Sequence, residues 1–236
     1  VKFHDGSDFD AADVIYTLNH VKDPEFDSTG AAVIKMVDTI EAVDPFTVKM
    51  TLSAPYPDLG LALQDYRLRM IPEGSADTIS TTGIGTGPFM LDTYDPDGTT
   101  VLKANPDYWE GSPGVETVEI IAIVDANARV QALQTGQIDM LGWSDMTGES
   151  RLLFENNPDY NMLRVETGAW TGMAFLTDVE PFTDARVRKA LRIATDRQAL
   201  IDLILGPGNG TVACDHPVWT GDQYWTSIDC PQQIDE

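Results

Sequence analysis

Positive charge is what this sequence has little of. Fifteen Lys and Arg, only six of them Lys, face 38 Asp and Glu, for a formal charge of -23. A surface of that sign repels phosphate backbones and anionic lipid heads, which argues against nucleic acid or a membrane surface as partner. Apolar runs are short: the longest, around Ile120 to Val124, has the length of a strand, not the roughly 18 residues of a membrane span. Cysteine is scarce. Cys214 and Cys230 lie in a Gly-, Pro- and Asp-rich stretch, where a bridge and two free thiols are equally consistent with the count. The three histidines, His4, His20 and His216, stand at no ligand spacing from one another, so Cys214 and His216 would hold a metal only with partners from elsewhere.

The usual signatures of catalysis are missing as well. There is no Ser-centred nucleophile elbow, no His-Glu-x-x-His pair and no Walker loop with its Lys. Gly83, Gly85 and Gly87 resemble a phosphate-cradling loop, but Pro88 follows and the next segment reads as strand, so no helix start faces an anion. Among 38 carboxylates, pairs suited to acid/base work arise by chance and none stands out. Asp95 and Asp97 lack the 12-residue calcium pattern with its final Glu. What is present is globular: 42% hydrophobic residues in a 236-residue chain, enough for one large domain or two small ones.

Local signals order the chain. Val1 to His4 reads as the end of a strand, and Pro231 to Glu236 is polar with no closing element, so both ends are expected to be cuts in a longer protein. Asp10 caps a helix carrying Val14, Leu18 and Val21, with Asp13 three residues after the cap and Pro24 as its stop. Thr47 to Leu52 alternates as a half-buried strand, Leu59 to Leu63 is a short helix, and Thr78 to Pro88 is a loop. Phe89 to Tyr94 and Thr99 to Ala104 flank a type I turn at Asp95-Pro96-Asp97-Gly98 and predict a hairpin. Val118 to Val124 is apolar on both faces, which predicts a strand inside a covered sheet. Asp125 then caps a helix with Val130 and Leu133 that Gly136 ends, an α/β succession. Met162 to Val165 and Met173 to Leu176 read as strands. Thr183 or Asp184 opens the longest helix, with Val187, Leu191, Ala194, Ile201 and Ile204 inside and Gly206-Pro207 at its end.

Arg186, Arg188, Lys189, Arg192 and Arg197 put a third of the positive charge on that helix, which reads as a solvated face paired with neighbouring carboxylates. Tyr66 with Arg67 and Arg69, Trp143, and Trp170 with Met173 fall near element ends, where side chains reach a cleft or simply pack.

Several blocks resemble, in order, the extracytoplasmic solute-binding proteins of dipeptide, oligopeptide and nickel ABC importers (family 5). They are Val1-Lys2-Phe3-His4-Asp5-Gly6 with Phe9 and Ala12-Asp13-Val14, Gly85-Thr86-Gly87-Pro88-Phe89, Asn105-Pro106-Asp107-Tyr108-Trp109, Ala132 to Asp139, and Pro181 to Leu191. The resemblance implies an α/β, periplasmic binding protein-like two-lobed fold (type II, with an extra subdomain), its second lobe incomplete here. Residues 1–80 would be the extra subdomain of lobe one, 81–168 the lobe-one core and 169–236 the start of lobe two. The implied protein is no enzyme and needs no cofactor. It captures a small peptide or amino-acid-like solute outside the membrane, as a periplasmic or lipid-anchored monomer, and delivers it to ABC permease subunits.

The resemblance also places ligand contacts on Trp170 to Phe175 and on Gly208 to Pro217, hence Gly172, Met173, Phe175 and His216. It makes Arg69, with Arg67 as alternate, the carboxylate holder, since a guanidinium fork matches a carboxylate. The chain departs from oligopeptide binders at Gly172-Met173-Ala174-Phe175, a small and apolar lining that favours a dipeptide, an opine or a similar solute. Competing readings are a nickel or metal-chelate carrier using the same arginines and His216, a secreted hydrolase, and a sensor or chaperone.

Overall fold

The computed structural model describes residues 1–228 other than 143, 144, 156, 166 and 217. The chain divides into two compact units, Val1–Ala122 and Ile123–Glu236. Trp143 and Cys230 lie outside the described residues, and with Cys230 so does the proposed bridge to Cys214.

The first unit is organised by α1 (Ala11–Lys22). Asp10 accepts from the Ala12 N–H, and the Asp13 carboxylate returns a bond to the Asp10 N–H at 2.9 Å, closing the expected capping box. Leu18 and Val21 point inward with Ile34, Val37 and Leu68, forming a core that Val14, Ile40, Met50, Leu52, Leu59 and Leu63 surround. The core lies between α1 and a two-stranded antiparallel hairpin, β1 (Val37–Asp44) and β2 (Thr47–Leu52). Residues Val48, Met50 and Leu52 of β2 are half-buried and alternate with exposed Thr47, Lys49 and Thr51, as expected. Strand β1 has no such alternation, because only Val37 is buried and Ile40 half-buried. A 3-10 turn at Thr29–Ala32 leads from α1 toward β1, and α2 (Leu59–Ala62) follows β2.

The opposite edge of α1 is polar and still buried. Asp13 accepts from the Glu73 N–H at 2.8 Å, Thr17 both accepts from the Ile71 N–H at 3.0 Å and donates to the Ile71 carbonyl, and the Tyr16 hydroxyl accepts from Ala76. Residues 71–76 form no helix or strand, so α1 side chains supply the partners a ladder would otherwise provide.

The expected loop at residues 78–88 contains one helical turn, α3 (Ile79–Thr82). A three-stranded antiparallel sheet follows, in the order β3 (Phe89–Thr93), β4 (Thr99–Ala104), β5 (Thr117–Ile121). The expected hairpin is present, with the Gly98 N–H donating to the Asp95 carbonyl across the turn. Three of the sequence blocks interlock beside it. His4 Nδ1 accepts from the Gly85 N–H, its Nε2 lies 3.0 Å from the Gly87 carbonyl, and Asn105 Nδ2 donates to that same carbonyl at 3.1 Å.

Two expectations for this unit are corrected. Val1 to His4 is no strand end but part of a tight loop with a single bridge, Lys2 to Asp8, because the chain reverses at Gly6. Strand β5 stops at Ile121 and is not covered on both faces: Ile120 is 55% and Val124 96% exposed in the described chain.

In the second unit, α4 (Ala126–Gln134) starts at the expected Asp125 cap and ends before Gly136, whose φ of 71° a side chain would resist. Arg129 donates to the carbonyls of Ile123 and Val124 and to that of Asp145, tying the helix to the chain on either side. Helix α5 (Gly148–Arg151) packs against the later α7, and Arg151 donates to the Leu205 carbonyl.

The predicted strands at Met162 to Val165 and Met173 to Leu176 are absent: both segments lack a ladder partner among the described residues, and Leu163 and Met173 are exposed. The long helix is two, α6 (Ala185–Ala194) and α7 (Arg197–Ile204). Asp184 caps the first, as expected; Asp196, whose carboxylate accepts from the Ala199 N–H, caps the second and breaks the run. Of the predicted inner stripe, Val187 and Ile201 are half-buried, whereas Leu191, Ala194 and Ile204 are exposed.

Two substitutions test this account of the first unit. Asp13→Ala removes the acceptor for two backbone N–H groups and is expected to cost about 2–3 kcal/mol in denaturant unfolding. Gly30→Ala is expected to cost about 1–3 kcal/mol by overpacking, since its added carbon would meet Arg67 Cβ and Val21 Cγ1 at 3.2 Å each. An unchanged midpoint in either variant would contradict the packing described.

Candidate functional site

The arginines foreseen as ligand holders sit on one 3-10 turn, Tyr66–Leu68, and on the residue that follows it. Leu68, 3% exposed, anchors the turn in the core; Arg67 and Arg69 on either side are exposed. The turn approaches Thr29–Ala32 closely because Gly30 presents no side chain to Arg67 and Val21. Its start is fixed by Asp65. One carboxylate oxygen accepts from the Arg67 N–H at 2.9 Å and from Nε at 2.8 Å, and the other from Nη2 at 2.7 Å.

That fork holds the Asp65 carboxyl down to about 2, through the Arg67 side chain first and its backbone N–H second, and raises the Arg67 guanidinium in turn. Arg67 also lies 5.2 Å from the centre of the Tyr66 ring, which is itself 71% exposed. So Arg67 is engaged on its carboxylate-matching edge.

Arg69 is different. Arg129, Arg151 and Arg188 donate to carbonyls, and Arg67, Arg164, Arg186, Arg192 and Arg197 pair with carboxylates. Arg69 alone of the nine has neither a hydrogen bond nor an ion pair among the described residues. In the basic stretch at 186–197, spread over two helices, Arg186, Arg192 and Arg197 pair with carboxylates and Arg188 with carbonyls, while the Arg197 side chain is only 19% exposed rather than solvated. Sequence reading missed Asp65, whose two-residue spacing from Arg67 forms a fork at the cap of the turn, as Asp184 does with Arg186 at the start of α6.

Beside the turn lies an open hollow of about 460 Å³, lined by Ala32, Val33, Tyr56, Asp58, Leu61, Ala62, Gln64 and Asp65. Its walls mix apolar and polar groups, the kind of lining small solutes meet. A smaller hollow of about 250 Å³ adjoins His4, with Asp5, Ile84, Met90, Leu91, Asp92 and Lys103 among its walls.

The remaining candidates belong to the second unit. Trp170 is 69% exposed, with its ring folded against Gly172, 2.2–3.3 Å from where a β-carbon there would stand. Met173 is 66% exposed, and Phe175 packs on Phe182 with ring centres 5.1 Å apart. His216 donates its N–H to the Ala213 carbonyl at 2.8 Å, while its Nδ1 accepts from the Val218 N–H at 3.0 Å. Nδ1 is therefore the unprotonated nitrogen, and Nε2 is the ring position left for another partner.

Among the described residues no helix is long and apolar enough to cross a membrane. The chain is 25% identical over 232 residues to di/tripeptide-binding protein 2 of Pseudomonas aeruginosa, covering 87% of this chain and 43% of that protein. It is 30% identical to AgaA of A. tumefaciens R10, solved with agropinic acid, at a TM-score of 0.75 over 85% of this chain and 41% of AgaA. The oligopeptide-binding protein AppA of Bacillus subtilis, solved with a nonapeptide, superimposes at a TM-score of 0.78 and 24% identity over 99% of this chain and 48% of its own. The chain thus spans less than half the length of these relatives and carries part of their α/β, two-lobed solute-binding fold.

A family model described as bacterial extracellular solute-binding proteins, family 5 Middle, matches residues 1–232. This match covers nearly the whole chain, and the chain belongs to family 5 of the bacterial extracellular solute-binding proteins, whose members bind their solutes rather than transform them.

Proposed function

We propose that the protein carrying this chain is the solute-binding component of an ABC importer. It captures a small peptide or amino-acid-like solute outside the cytoplasmic membrane, in the periplasm or on a lipid anchor, and hands it unchanged to permease subunits as a monomer. In this reading residues 1–80 are the extra subdomain of lobe one, 81–168 its core and 169–236 the start of lobe two.

One observation carries the reading. In a chain of 38 carboxylates, eight of nine arginines are engaged within the protein, and Arg69 is exposed with no partner among the described residues. An open guanidinium suits a solute carboxylate, which it grips with two parallel bonds. Tyr66, on the same turn, would add a flat apolar face; the family resemblance adds Trp143, Trp170, Gly172, Met173, Phe175 and His216 as further proposed contacts. Relatives named for di/tripeptides and for agropinic acid fit a solute with an acid group and a small body.

The test is calorimetric titration of the full-length protein with the dipeptide Ala-Ala and with agropinic acid. Arg69→Ala is expected to weaken the bound probe by about 10- to 100-fold, the loss of one charge-assisted contact. Equal affinity in parent and variant would remove Arg69 from the site. Arg67→Ala should leave affinity within about 3-fold while freeing Asp65, whose carboxyl, followed by NMR, should rise from about 2 toward its ordinary range. Asp65 is depressed on folding, so the pair stabilises the fold above the unfolded carboxyl's range, and that contribution fades as pH falls through about 2.

A further inference from the structure

The turn before His216 is built against its own sequence. Its closing bond runs from the His216 N–H to the Ala213 carbonyl at 2.8 Å, and both central residues are left-handed, Cys214 at φ 55° and Asp215 at φ 63°. Paired positive φ values belong to turns that favour Gly, Asn and Asp; Asp215 suits such a position and Cys214 does not. Some interaction elsewhere must offset the strain of two such residues.

The Asp215 carboxylate meets that need. One oxygen lies 2.9 Å from Arg197 Nη2 and the other 3.4 Å from Arg192 Nη1. Arg192 is in the last turn of α6, and Arg197 opens α7 with its side chain only 19% exposed. A single carboxylate therefore joins the end of one helix, the start of the next and the turn. A surface pair such as Lys2–Asp8 does nothing comparable, since it joins neighbours within one loop. Beyond the turn, the Val218 N–H fixes the His216 ring through Nδ1, so turn and imidazole are oriented together.

We propose that Arg192, Asp215 and Arg197 form a positioning triad that holds the 208–216 loop in its solute-facing conformation and aims His216. The proposal rests on the reading above that this loop meets the solute. Asp215 touches no solute itself; it acts through the turn.

Amide hydrogen exchange on the full-length protein, without solute, reads the triad directly. In Asp215→Asn, which keeps a residue tolerant of positive φ and removes the charge, the His216 amide is expected to exchange about 10-fold faster, with amides of α1 unchanged. Arg192→Gln, leaving the 2.9 Å Arg197 contact in place, should give a smaller increase. Added salt at 0.5 M should accelerate the parent toward Asp215→Asn and leave that variant unmoved, a dependence that a purely steric role would not produce.

Titration with Ala-Ala and agropinic acid completes the test: Asp215→Asn should weaken the bound probe by about 3- to 10-fold. Unchanged exchange in Asp215→Asn overturns the proposal, as does faster exchange with unchanged affinity for a probe that the parent binds. Failure of the parent to bind either probe counts against the solute reading of the preceding section, and the exchange comparison then decides the triad alone.

Discussion

Buried hydrogen bonding by α1 is the constraint on which the first unit depends. Residues 71–76 cross the interior edge of that helix without forming a ladder, and a backbone in that position must find partners or lose free energy for every bare group. Asp13 and Thr17, four residues apart and 6% and 2% exposed, provide them, and Thr17 answers both polar groups of Ile71 as a paired strand would. The apolar stripe of the same helix holds Leu68, two residues before Met70. One helix thus grips the chain on both sides of Arg69, and the exposure of that arginine follows from the burial of its neighbours.

The same economy of partners separates the two arginines of the turn. Arg67 has its carboxylate two residues away, at the cost of no loop closure, and the 3-10 geometry delivers both edges of the fork. Arg69 leaves the turn in an extended conformation, with ψ 127°, and so loses the local carboxylate. A protein folding for stability alone, with more than two carboxylates for every basic residue, has ample means to pair it. Among the described residues Arg69 forgoes that interaction, which is the ground for the proposed site.

Local signals for caps and turns reported local structure faithfully, whereas the strands read at Met162 to Val165 and Met173 to Leu176 are absent, since neither segment finds a ladder partner among the described residues. The Asp10 cap, the Asp95 to Gly98 turn and the Asp125 cap are each decided within a few residues, and each is where the sequence puts it. Strand β1 escaped because its pattern is broken by Asp38, Glu41 and Asp44; β2, across the hairpin, makes it a strand. The joint at Thr195–Asp196 was hidden by an apolar period that runs through it, although Asp196 is a good cap by type. Distance explains the rest: Asp215 lies 18 residues beyond Arg197, and no spacing rule connects a turn aspartate to two helix ends. The resemblance pointed to the arginine turn as a place to look, while the difference between Arg67 and Arg69 needed coordinates.

The carboxylate site proposed at Arg69 would have to work against the field of a chain of charge -23. Screening settles which scale wins. At physiological ionic strength charges more than about 8 Å apart are largely hidden from one another, so the diffuse acidic surface sets the approach of a solute more than its bound energy. Contact distances are governed instead by the open fork of Arg69, unscreened once water is displaced. In the proposed reading the acidic excess would act as a filter: a solute with an ammonium beside its carboxylate would be approached on better terms than a bare dianion, because its net charge does not oppose the field while its acid group could still meet the guanidinium. On this argument an acidic surface and Arg69, unpaired among the described residues, would together favour the small amino-acid-like solutes proposed above.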